Sequence, residues 1–277
     1  MNALTHHDIA ACEHADKILK QFNAITALPK LQINDETMHL FHQFLNLLSN
    51  QVSAAQAEQV LAHPAIQAKK LQMQSLFSQA SSLYERYWAE RIIQNPSPEA
   101  YLTQQYPYYQ HYQRATGLEI NAIQALTPNT IKKVLMVGSG ALPLTSIALA
   151  KHHYEITNLD INEADLLLGK AVCNALSPNK KMAFVHNDIC LEQDLADYDV
   201  VWLAALVGDE TIKHKIIQHL YQHVKPGTLM VIRTAFNLRT LLYPSICEQA
   251  LSPFQLKLKI QTYADNFHSI LIAQKPL

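Results

Sequence analysis

Over roughly the first 120 residues, apolar side chains recur at helical spacing with polar residues between them. Met38, Phe41, Phe44, Leu45 and Leu48 form one stripe; Leu71, Leu76, Leu83, Tyr87 and Trp88 form another. This stretch holds a single glycine, Gly117, and is punctuated by Pro29, Pro64, Pro96, Pro98 and Pro107. Proline lacks an amide donor and clashes inside a helix, so the pattern predicts four to six helices broken at those residues.

From about residue 121 the pattern changes to short apolar runs alternating with helical segments. Predicted strands are Lys132 to Val137, Tyr154 to Leu159, Met182 to His186, Asp199 to Ala204 and Thr228 to Arg233. Helices are expected over Thr145 to Lys151, Glu163 to Leu176 and about Glu210 to Val224. Leu256 to Tyr263 and His268 to Ala273 read as a closing pair of strands. Continuous apolar strands that alternate with helices imply a doubly wound, mostly parallel sheet with both faces covered. The expected division is a helical domain over 1–120 and an α/β domain over 121–277.

Composition narrows the function classes. The chain has 277 residues, 23 acidic against 22 basic, for a net charge of −1. A nonspecific nucleic-acid binder needs a basic excess that is missing here. No apolar run approaches the ~20 residues of a membrane-spanning helix. The start lacks the basic-then-apolar layout of a secretory signal, so a cytoplasmic location is expected. Cys12, Cys173, Cys190 and Cys247 form no CxxC pair. Among the 14 histidines, neither His6, His7 and His14 nor His152 and His153 offer a metal-ligand pattern, and no metal is expected.

In open α/β sheets, ligands bind at the carboxyl ends of the strands, and polar residues collect there. Gly138-Ser139-Gly140 follows the first strand and opens a helix. Asp160 ends the second strand 20 residues after Gly140, and Asp188 follows the third. Glycines let a ligand approach the backbone, an acid at the end of strand two can accept from ribose hydroxyls, and Asp188 stands where an adenine amino group needs an acceptor. Each alone is equally a tight turn or a helix cap. Position 143 is Pro where the dinucleotide fingerprint has its third glycine, so the trio points to adenosine without pyrophosphate, as in S-adenosylmethionine-binding proteins. The fold class that follows is a Rossmann-like class I methyltransferase sheet of about seven strands.

The elements VGSGALPLTSIALAKHH, NLDI, YDVVWLAALVG, VIRTAFNLRTLLYP and HSILIAQK together resemble the nicotianamine synthase family. The resemblance extends upstream through YPYYQHY (106–112) and Leu118-Glu119 to the helix carrying Glu85. It implies transfer of the 3-amino-3-carboxypropyl (aminobutanoyl) arm of S-adenosylmethionine to an amine, with 5′-methylthioadenosine released. The chain looks closer to bacterial relatives that make opine-type metallophores. In those the acceptor is an amino acid, often histidine, and an opine dehydrogenase takes up the product. The alternatives are an ordinary methyltransferase, a nicotianamine synthase with repeated transfers, or a non-catalytic adenosine-ligand or metal sensor. Thr234-Ala235-Phe236-Asn237 stands where plant members have Ser-Ala-His-Gly, and His268 where they have Asn, so the acceptor stays open.

Arm transfer is chiefly a positioning problem, and the attacking amine must lose its proton. The resemblance implies Glu85 as the carboxylate that engages the amine, with Glu90 as competitor. Tyr112 is expected as its partner and Tyr108 as a wall of the site. The donor-facing set comprises Gly138, Ser139, Gly140, Leu142, Pro143, Asp160, Ile161, Asp188, Ile189, Ala204, Leu206 and Val207. Arg233 suits a substrate carboxylate, or a structural ion pair, and Thr234, Asn237, Tyr243 and His268 complete the acceptor side. The helical half is expected to close over the sheet and offers surfaces for a homodimer.

Overall fold

A computed structural model of the chain describes residues 6–49, 52–127, 130–176, 182–262 and 268–277. Tyr263 lies outside the described residues, as do the side chains of His6 and His7. Six helices come first: α1 (His6–Thr26), α2 (Asp35–Ser49), α3 (Ala54–Ala62), α4 (Pro64–Gln94), α5 (Pro98–Gln105) and α6 (Tyr109–Leu126). Pro64 and Pro98 stand in the first turns of α4 and α5, where a missing amide donor costs nothing.

The remainder alternates β1 (Lys133–Val137), α7 (Leu144–Lys151), β2 (Glu155–Asp160), α8 (Glu163–Leu176), β3 (Met182–His186), β4 (Val200–Leu203), α9 (Glu210–His223) and β5 (Leu229–Thr234). It ends with β6 (Gln255–Ile260) and β7 (Ser269–Gln274). The seven strands lie in the order β3-β2-β1-β4-β5-β7-β6. β1 to β5 pair in parallel, and β7 runs antiparallel to both β5 and β6. Strands are added outward in one direction from β1 to β3 and in the other from β4 to β5, and this switch opens a crevice at the carboxyl ends of β1 and β4.

Both faces of the sheet are buried, as the continuous apolar strands require. Leu135, Val201 and Met230 pack against Ile216, Ile217 and Leu220 of α9 on one face. Val134, Trp202 and Val231 pack against Ile120 and Ile123 of α6 and Leu149 of α7 on the other. Thus α6 runs past residue 120 and itself covers the sheet.

A third cluster joins α1 to α4 with Ala235, Leu238, Leu241, Leu242 and Tyr243, which follow β5. The 31-residue α4 is about 45 Å long. Ile66 and Met73 face that third cluster, whereas Ala89 and Ile92 pack on Leu144 and Ile147 of α7 and Val172 of α8. Leu71, part of the apolar stripe in the sequence, is instead 75% exposed. A helix that changes partners along its length does not keep one apolar face.

Candidate active site

The turn after β1 is built around two left-handed glycines. Gly138 has φ 77° and Gly140 φ 66°. Gly138 donates its N–H to the Leu159 carbonyl at 2.8 Å, tying the turn to β2. A Cβ on Gly138 would collide with the Val207 side chain; one on Gly140 would lie 2.5 Å from Glu85 Oε2. Two elements distant in sequence therefore close on this turn from different sides. Leu142 is buried beneath it, and Pro143 caps α7. The Ser139 hydroxyl is buried and without a hydrogen-bond partner among the described residues.

Asp160 organises the same turn. Its Oδ2 accepts the Gly140 N–H at 2.8 Å and its Oδ1 accepts the Asn162 N–H at 2.9 Å. Each carboxylate oxygen keeps a second lone pair for a ligand. Ile161 beside it is 69% exposed, an apolar surface at the crevice edge. Asp188 accepts the Cys190 N–H at 2.9 Å and caps the short turn Ile189–Leu191. Ile189, expected beside the donor, instead turns into the core with Leu159 and Leu195.

Glu85 reaches the turn from α4, and the N–H groups of Ala141 and Leu142 donate to its carboxylate. Burial, together with the nearby charges of Asp165 and Asp160, pushes its pKa up to about 8. Asp165 itself is held by Arg86, whose Nη2 lies 2.9 Å from Oδ2; this pair fixes α4 on α8. Three carboxylates thus surround the turn with Arg86 committed to one of them, which favours a cationic ligand. Glu90, the competing acid, is exposed on α4.

On its other side Glu85 opens into a cleft with about 780 Å³ of open space between α2, α4 and the start of α6. Its lining includes Leu31, Met38, Phe41, Leu45, Phe77, Tyr84, Tyr106, Tyr108 and Tyr112, with no lysine or arginine among the described lining residues. The Tyr108 hydroxyl is 2.9 Å from His42 Nε2. Tyr112 is hydrogen-bonded to Tyr106; burial and then the Glu85 charge push its phenol up to about 12, against the pull of Arg233. It therefore stays protonated and can donate. His42, Tyr84 and Tyr106 were not singled out in the sequence. Tyr106 alone carried a signal, as part of the dense 106–112 run.

The acceptor set expected after β5 is placed differently. Arg233 Nε and Nη2 lie 2.8 and 2.7 Å from the two oxygens of Glu119, with exposures of 6% and 0%. Trp202 Nε1 and His268 Nε2 also reach Glu119, at 3.1 and 3.2 Å. The fork expected for a substrate carboxylate is thus filled by α6. Thr234 is buried and accepts the Ile246 N–H at 2.8 Å. Asn237, at φ 61°, accepts the Leu238 N–H and starts the short turn Asn237–Leu241. Tyr243 is buried against Phe77, its hydroxyl unpartnered among the described residues. Arg233 and His268 tie β5 and β7 to α6, and Thr234 holds the chain at Ile246. The sequence did not pair Arg233 with Glu119 because 114 residues separate them.

Beyond β4, Ala204 and Val207 flank Gly138 of the turn, whereas Leu206 packs on the helical cluster of α1 to α4. No group of three His, Cys, Asp or Glu among the described residues could hold a metal ion. No helix among them is long and apolar enough to cross a membrane.

Residues 11–277 match the family model described as nicotianamine synthase protein. Nicotianamine synthase 1 of Arabidopsis thaliana is 37% identical over 188 residues, 66% of this chain; the chain spans 58% of that relative's length. Among solved structures, a glutamate-to-glutamine mutant of MtNAS in complex with S-adenosylmethionine superposes with a TM-score of 0.82. Its identity is 17%, over 95% of this chain and 98% of that one. MtNAS in complex with MTA and tNA gives 0.81 at 16% identity, over 99% of each chain. At these identities the structural likeness concerns the fold.

Proposed function

The chain belongs to the nicotianamine synthase family, and on that premise we propose that it moves the aminobutanoyl arm of S-adenosylmethionine onto the amine of an amino acid. The observation that carries the reading is the place of Glu85: a proton-accepting carboxylate held between the glycine turn and an apolar cleft. The turn after β1 and Asp160, which ends β2 beside it, stand at the carboxyl ends of the strands, where a nucleoside would be held. The three carboxylates suit the donor's sulfonium and ammonium charges. In the cleft, the acceptor amine gives its proton to Glu85 and attacks the donor's γ-carbon. A C–N bond forms as the C–S bond breaks, and the electron pair leaves with sulfur as 5′-methylthioadenosine. Tyr112 orients the amine as a neutral phenol.

The cleft also bears on the acceptor. Among the described residues its aromatic and aliphatic lining holds no lysine or arginine for additional carboxylates, which favours one transfer to an amino acid with a ring side chain over repeated transfers. Histidine is the acceptor we assign, in the synthesis of an opine-type metallophore whose precursor an opine dehydrogenase would consume. The test is mass spectrometry after incubation with S-adenosylmethionine and an equimolar amino-acid mixture. The expected products are 5′-methylthioadenosine and histidine carrying one aminobutanoyl arm. S-adenosylhomocysteine as the spent nucleoside would make the protein a methyltransferase, and a product bearing several arms would refute single transfer.

A further inference from the structure

Lys213 lies in the first turn of α9 and is fully buried, at 0% exposure. Its Nζ donates to the Ala205 carbonyl at 2.5 Å and meets no carboxylate among the described residues. Burial lowers its pKa to about 8. An ammonium with three donors and, among the described residues, a single acceptor is expensive to keep in such surroundings. Its neighbours on α9, Ile216, Ile217 and Leu220, are plain core residues. Packing alone does not call for a charge here.

The carbonyl that Lys213 engages belongs to the loop between β4 and α9, on the ligand side of the sheet. That loop meets the glycine turn at Gly138, through Val207, whereas Glu85 meets it at Gly140. In a trans peptide the N–H points opposite to the C=O. Drawing the Ala205 carbonyl toward Lys213 therefore turns the Leu206 N–H the other way, and that N–H makes no backbone hydrogen bond among the described residues. A charged donor on the carbonyl polarises the same peptide and strengthens its N–H. Around the turn Glu85, Asp160 and Asp165 are all acidic, so a ligand carboxylate there needs a separate positive pole.

We infer that Lys213 is a positioning residue for the donor: through the Ala205–Leu206 peptide it holds a strengthened N–H for the carboxylate of the methionine part. This rests on the reading of S-adenosylmethionine as donor. The loop, seated by a buried ammonium from below, then recognises the acidic end of the arm that is to be transferred. Lys213 touches neither substrate.

The experiment compares the wild type with Lys213→Met, which keeps length and removes charge. Two ligands are titrated by calorimetry: S-adenosylmethionine, and 5′-methylthioadenosine, which lacks the carboxylate. Expected is a rise of roughly tenfold in Kd and KM for S-adenosylmethionine, the scale of a charge-assisted hydrogen bond. Affinity for 5′-methylthioadenosine should not change, and kcat at saturating donor should stay within about threefold. Equal weakening of both ligands would mean a general structural role, and no weakening of either would overturn the inference outright. Lys213→Arg, which keeps the charge, should retain the preference for the carboxylate-bearing ligand; its loss there would overturn the proposal even if the Met variant did not fold. If the wild type bound neither ligand, the donor assignment itself would fall, which is a separate outcome.

Discussion

Two glutamates on two helices, Glu85 on α4 and Glu119 on α6, end near the same tyrosine and have opposite characters. Tyr112 feels both the Glu85 charge and Arg233, the partner of Glu119. Burial tends to protonate each carboxylate. At Glu85 two further acids add to that tendency, and the pKa rises to about 8. At Glu119 the attraction of Arg233 and hydrogen bonds from Arg233 and His268 outweigh burial, and the carboxyl is held far below its usual range. The surroundings of the carboxylate decide the role. A glutamate without a bound cation can exchange a proton near neutral pH; one clasped by arginine is a fixed anion that ties α6 to β5.

The largest expected effect tests the first member of this pair. Glu85→Gln keeps the shape and removes the base, so turnover should fall by roughly 10²–10⁴-fold while donor affinity changes little. Release of 5′-methylthioadenosine and calorimetry measure the two quantities. As the proposed base, Glu85 must ionise to act, so kcat/KM should climb as pH rises through about 8 and then level off. The Gln variant should lose that climb. The sign for stability is opposite: a raised folded-state pKa favours the fold while the group is protonated. That contribution is lost between the ordinary carboxylate value and about 8, so the Gln variant should gain relative stability on the alkaline side. A wild-type rate that does not respond to pH would remove Glu85 as the base.

Breaking the other member should act on folding. Glu119→Ala leaves Arg233 buried and unpaired, with an expected loss of about 3–5 kcal/mol in urea denaturation. Replacing both, Glu119→Leu with Arg233→Met, should recover part of it, since an apolar pair can fill the same space while Trp202 Nε1 and His268 Nε2 lose their acceptor. If the double variant is stable but inactive, the pair does more than tie α6 to β5. The smallest effect belongs to the residue between them. Tyr112→Phe removes one hydrogen bond and keeps the ring, so turnover should fall by about threefold to tenfold, the equivalent of 0.5–1.5 kcal/mol. A loss as large as that of Glu85→Gln would make Tyr112 a proton carrier.

The parallel sheet was legible because its strands are buried on both faces and read as unbroken apolar runs. The strand ends were legible too: Gly138-Ser139-Gly140, Asp160 and Asp188 each follow a run directly, and local chemistry marks them. Side chains that meet across the fold were not. Nothing local to Arg233 announces Glu119, nor does Tyr108 announce His42, 66 residues away. In ETIKHKIIQ, Lys213 reads as one more helix surface lysine, and only the loop above it gives its burial a meaning. Glu85 was reachable through family resemblance, because α4 changes partners midway and its periodicity does not say which face meets the sheet.

Asp160 clamps the amides of Gly140 and Asn162 with hydrogen bonds that lie within the chain itself. The order of the turn therefore comes from bonds that belong to the fold. Donor capture should behave as the entry of a small molecule into a rigid seat. Its on-rate should follow access and charge, with a single kinetic phase and no slow closing step at the turn.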